Sequence, residues 1–104
     1  MSDNPIDHEI GEAWKAHRQG FQDTAIQQFR EILDRDPGNL DALYGLGLAE
    51  KAAGNEAEAK QIFLHLQAQI DGVSAEEAAS GTPGRYFMLA NMVKQQIRQI
   101  DQGS

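Results

Sequence analysis

The stretch His8-Glu9-Ile10-Gly11-Glu12 comes nearest to a metal motif. Zinc hydrolases place two histidines one helical turn apart with a glutamate beside the first. Here Glu12 stands where the second histidine would be, and a zinc site needs three or four ligands. The plainer reading is a helix start with acid in its first turns, where the helix dipole favours it. His65 lies between Leu64 and Leu66 and reads as a partly covered surface histidine. Glu76 and Glu77 read as helix-start residues rather than an acid–base pair. There is no glycine-rich phosphate loop and no Gly-x-Ser-x-Gly elbow. The absence of cysteine excludes disulfides, zinc–thiolate sites, iron–sulfur clusters and thiol catalysis. No catalytic residue, cofactor or metal is therefore assigned, and the expected function is non-catalytic.

The elements that would carry any other chemistry come from composition and spacing. The chain has 104 residues, 40% apolar and 24% charged, enough for one small packed domain. Acidic residues number 16 against 9 basic ones, a net charge of -7. That balance argues against nucleic acid as a partner. No apolar run approaches the roughly 20 residues of a membrane span. Met-Ser-Asp-Asn-Pro lacks the charged start and apolar run of a secretory signal. The expectation is a soluble, cytoplasmic protein with no membrane contact.

Shifting the sequence by 34 residues brings seven positions into coincidence: Asp7/Asp41, Gly11/Gly45, Gly20/Gly54, Ala25/Ala59, Gln27/Gln61, Phe29/Phe63 and Gly38/Gly72. Small residues match small and large match large, as stacked identical units require. Each unit reads as two helices. Asn4-Pro5 opens the first, which stops at Gly20. Asp23 caps the second, which ends near Arg35 before Asp36-Pro37-Gly38. Asn39 caps the third, stopped by Gly54. Asn55 caps the fourth, expected to reach about Ile70 before Asp71-Gly72. Ser74 to Glu77 has capping-box spacing for a short helical turn. Thr82-Pro83 then opens a long helix to about Asp101, with an apolar stripe of Tyr86, Leu89, Ala90, Val93, Ile97 and Ile100. The expected fold is all-α, about five helices in a right-handed antiparallel helix-hairpin stack. It forms one domain over 1–104, with units at 6–39 and 40–73, an insertion at 74–82 and a closing helix at 83–101.

A 34-residue helix-turn-helix unit resembles the tetratricopeptide repeat, whose pattern is Trp-x2-Leu-Gly-x2-Tyr, then Ala-x3-Phe, then Pro. The second unit gives Leu43-x2-Leu46-Gly47-x2-Glu50 and Ala59-x3-Phe63. The first gives Ala13, Gly20, Ala25-x3-Phe29 and Pro37, and the last helix gives Tyr86-x2-Leu89-Ala90-x2-Val93. Glu9 and Glu12 depart from the pattern, as the polar outer face of a terminal unit would. The resemblance implies that the first helix of each unit lines a concave groove holding a peptide or partner helix. Carried along, that face contains Ile10, Trp14 and His17, then Tyr44, Leu48 and Lys51, then Phe87, Asn91 and Lys94. Each set is spaced i, i+4, i+7 and so shares one helical face. Arg18 joins His17, Lys51 and Lys94 in a basic edge, which suits a partner with an apolar helical face and acidic flanks.

The expected function is thus a protein–protein interaction module. Two alternatives stand beside it. Two and a half units are few to bury a continuous core, so the apolar surface is also consistent with a homodimer. A small enzyme or metal protein built around His8 is the remaining class.

Overall fold

The computed structural model describes residues 5–81, 84 and 86–103. Five helices follow in order: α1 (Pro5–Arg18), α2 (Gln22–Arg35), α3 (Leu40–Ala52), α4 (Glu56–Ser80) and α5 (Phe87–Gly103). There is no strand among the described residues. Successive helices pack on one another, and α1 also touches α3. The molecule measures 43 × 41 × 19 Å. Its short dimension is two helix diameters of about 10 Å each, so α1, α3 and α5 form one layer and α2 and α4 the other.

The repeat is visible in how the hairpins turn. After α1, Phe21 N–H donates to Ala16 O (2.9 Å) and Gly20 N–H to His17 O (3.1 Å). After α3, Asn55 N–H donates to Glu50 O (2.9 Å) and Gly54 N–H to Lys51 O (3.0 Å). These are the paired bonds of a Schellman cap, with Gly20 at φ 87° and Gly54 at φ 90°. Asn39 caps α3 as expected: its side chain accepts from Ala42 N–H at 2.9 Å. Asp23 does not cap α2. That helix begins two residues earlier than a cap at Asp23 would place it, after Phe21, with no side-chain cap bond. The Gln22 amide instead donates to His17 O and meets the His17 ring. The Asn55 amide donates to Glu50 Oε1 at 2.8 Å.

Small residues let the layers close. Ala13, Ala25, Ala42, Ala49 and Ala59 are fully buried, as are Phe29 and Phe63. A Cβ on Gly45 would collide with the Phe29 ring, and one on Gly47 would lie 2.5 Å from Phe63 Cε1. The two glycines thus receive an aromatic ring from each side of α3. Ile32, Leu66, Ile70 and Val93 complete the fully buried set. Buried Glu50 accepts from Arg30 of α2 at 2.6 Å and from Asn55 ahead of α4, joining three helices at one carboxylate.

The fourth helix does not stop at Ile70. Gly72 lies inside α4, which continues to Ser80 and ends before Gly81 at φ 78°. A mid-helix glycine costs about 1 kcal/mol relative to alanine. Here the inward stripe does not break: buried Leu66 and Ile70 are followed at helical spacing by half-buried Val73 and buried Glu77. The segment from Ser74 is therefore the last two turns of α4. The expected Thr82-Pro83 cap lies outside the described residues. α5 begins at Phe87, buries Val93 and Ile100, and packs on α4. Lys60 and Asp101 pair across that contact at 2.6 Å.

Candidate docking face of the first-helix layer

Trp14 sits at the middle of the face formed by α1 and α3. It is half-buried, edge-on to Phe29 at 5.4 Å and tilted against Tyr44 at 6.2 Å. Its indole N–H donates to Asp41 Oδ1 at 3.3 Å. Tyr44 in turn leans on Phe63 at 6.0 Å. An aromatic path therefore runs from the surface into both hairpins.

The other expected face residues divide by depth. Ile10 is 9% exposed and Tyr44 8%, so both form a floor rather than a lining. Burial pushes the Tyr44 phenol above its ordinary value, outweighing a hydrogen bond from Gln96 that acts the other way. Leu48 is half-exposed beside them. His17 is half-buried with its ring against Trp14 and its Nδ1 2.7 Å from Gln22 Oε1, so it belongs to the turn between α1 and α2. Arg18 is exposed at the end of α1.

Lys51 fixes how α5 is turned. Its ammonium donates to Gln96 Oε1 and Gln99 Oε1, both at 2.7 Å. The α5 side facing α3 is thus the side of Gln96 and Gln99. Stepping back along it gives Met92 and Met88, which are 40% and 75% exposed. Phe87, Asn91 and Lys94 occupy a different stripe, rotated by about 140° at 100° per residue. All three are exposed. The structure therefore brings Ile10, Trp14, Tyr44, Leu48 and Lys51 together. It sets Phe87, Asn91 and Lys94 apart, and supplies Met88 and Met92 instead. The signal for the methionines was their spacing: Met88, Met92, Gln95 and Gln99 follow i, i+4, i+7, i+11. The basic edge is discontinuous for the same reason.

A cleft of about 500 Å³ opens where α3 starts, walled by Leu40, Val73, Tyr86 and Leu89 and edged by Asp41. Among the described residues, no three histidine or carboxylate groups converge as a metal site, and His8 is exposed on α1. No helix among the described residues is long and apolar enough to cross a membrane.

Comparison with known proteins agrees with this architecture. A family model described as "Tetratricopeptide repeat" matches residues 18–79. Cellulose synthase operon protein C of Komagataeibacter sucrofermentans is 40% identical over 57 residues, which cover 55% of this chain and 4% of that protein. Cellulose synthase 1 operon protein C of Komagataeibacter xylinus is 43% identical over 50 residues, covering 48% of this chain and 4% of that protein. The chain thus spans a small fraction of the curated relatives it matches. No solved structure matches it significantly.

Proposed function

The chain belongs to the tetratricopeptide repeat family, and on that premise we propose that the α1–α3–α5 face docks a segment of another protein without catalysis. The observation that carries the reading is half-exposed Trp14, held in place by Phe29, Tyr44 and Asp41. A rigid aromatic anchored from below and open above is the kind of group that dominates binding energy at interfaces. Leu48, Met88 and Met92 extend the apolar strip. Lys51, whose two partners are neutral amides, leaves one positive charge beside it. An amphipathic helix with acidic flanks meets both features.

Trp14 is the sole tryptophan, so its emission reports on this face. Titration with a synthetic helical peptide, apolar at i, i+4, i+7 and flanked by glutamates, is expected to give a saturating shift of that emission. Leu48→Glu should abolish the shift while far-UV helicity is retained, because Leu48 is only half-buried. Equal binding by Leu48→Glu would remove the groove reading.

Self-association is the second reading, and the exposure of Met88 and Met92 favours it. Sedimentation equilibrium separates the two: the docking reading expects an 11.5 kDa monomer, the other a concentration-dependent dimer.

A further inference from the structure

Around α3, Gly45 faces the preceding hairpin at Phe29, and Gly47 faces its own mate at Phe63. The stripe of α3 that runs through Gly47 is Leu43, Gly47 and Glu50, with Leu43 and Glu50 buried; Gly47 meets Phe63 of α4, and Glu50 meets Asn55 ahead of α4 and Arg30 of α2. α5 carries a stripe of the same i, i+4, i+7 spacing in the corresponding place. It is Phe87, Asn91 and Lys94, with Arg98 one turn on. The order of faces around the two helices agrees. Val93 faces the preceding α4, Gln96 and Gln99 face Lys51, and Phe87 to Arg98 occupy the remaining side. On α3 that side is closed by a mate. On α5 no helix among the described residues lies over it, and Phe87 is 70% exposed.

We propose that this outer stripe of α5 takes an acidic amphipathic helix of a partner protein, seated where the second helix of a third hairpin would lie. Continuity and charge both select that occupant. α2 lies on α1 and α4 on α3 in the same antiparallel way, so the stack already repeats the interface that the stripe continues. Lys94 and Arg98 are exposed on the stripe and form no ion pair among the described residues, while Asp101, one turn past Arg98 on the same side, is engaged by Lys60 of α4. A second copy docked through its own α5 is a poor match, because it would set Lys94 and Arg98 against the same cations. The partner helix needs an apolar residue over Phe87, a small one at Asn91, where α3 has glycine, and carboxylates opposite Lys94 and Arg98.

The test uses the whole chain and a labelled synthetic helix with leucine, alanine and glutamate in that order along one face. Its anisotropy is read against the wild type, Lys94→Glu/Arg98→Glu and Leu48→Glu. The charge reversal should weaken binding by about tenfold or more. A peptide with lysine in place of glutamate should restore it. Leu48→Glu should bind like the wild type, which separates this stripe from the proposed groove. Both variants lie at exposed or half-exposed positions, and circular dichroism checks their folding. Three results would overturn the proposal. One is equal affinity after charge reversal without dependence on the peptide's charge. Another is loss of binding in Leu48→Glu. The last is a dimer that excludes the peptide from α5.

Discussion

Replacing Gly47 by alanine tests the close approach of the layers. A Cβ at Gly47 would stand 2.5, 2.7 and 2.9 Å from three atoms of the Phe63 ring. Carbon atoms rest at about 3.5–4.0 Å, so the ring must retreat by about 1 Å. Phe63 is 0% exposed and leans on Tyr44, so the retreat is resisted by the packed core. Overpacking of this kind costs about 1–3 kcal/mol. Alanine recovers about 0.5–1 kcal/mol of helix propensity. The net expectation is a destabilisation of about 1–2 kcal/mol, or a fall in Tm of about 5–15 °C for a domain of this size. Gly72→Ala is the matched control. Gly72 is exposed within α4, and its Cβ would meet nothing within 4 Å. That variant should gain about 0.5–1 kcal/mol. Urea and thermal unfolding followed by far-UV circular dichroism measure both. Phe63→Leu added to Gly47→Ala should cost less than the sum of the two single changes. If Gly47→Ala stabilises the protein as Gly72→Ala does, the tight approach of α3 and α4 is wrong.

Arg30→Ala leaves the buried Glu50 carboxylate to the Asn55 amide and should cost about 1–3 kcal/mol in urea unfolding; Arg30→Lys should recover part of it. Tyr44 gives a pH signature. Its phenol is raised by burial, so its contribution to stability is full below the ordinary tyrosine range and lost as the pH climbs through the folded value. Tyrosinate absorbance should show one of the two tyrosines titrating late, and Tyr44→Phe should remove that component; two ordinary titrations would contradict the burial.

Much of the stack was legible because its constraints are local. The 34-residue period, the caps at Gly20, Asn39 and Gly54, and the pairing of small residues with Phe29 and Phe63 are encoded within single hairpins. The end of α4 was not. Gly72 reads as a stop by its type, but Val73 and Glu77 keep the inward stripe going, and packing outweighs one glycine. The turn of α5 was missed for a related reason. Aligning Tyr86, Leu89 and Val93 with Leu43, Leu46 and Glu50 places the helix one residue out of step. The contact that sets the rotation, Lys51 with Gln96 and Gln99, joins residues far apart in sequence. Depth was illegible too: spacing put Ile10, Trp14 and Tyr44 on one face, but only the neighbouring rings decide which of them sink.

The neighbours of each helix decide how the molecule comes apart. Beyond α1 and α3, each helix touches chiefly the ones before and after it. Such a chain behaves like a row of coupled links rather than a single closed core. An internal link is held from two sides, but α5 is held by α4 and by the amides that meet Lys51. Peeling α5 away breaks one interface and leaves the Phe29–Gly45 and Gly47–Phe63 contacts untouched. Protection against amide exchange should therefore rise from α5 toward α3. Whatever binds α5 gives it a further interface and raises its protection toward that of α3.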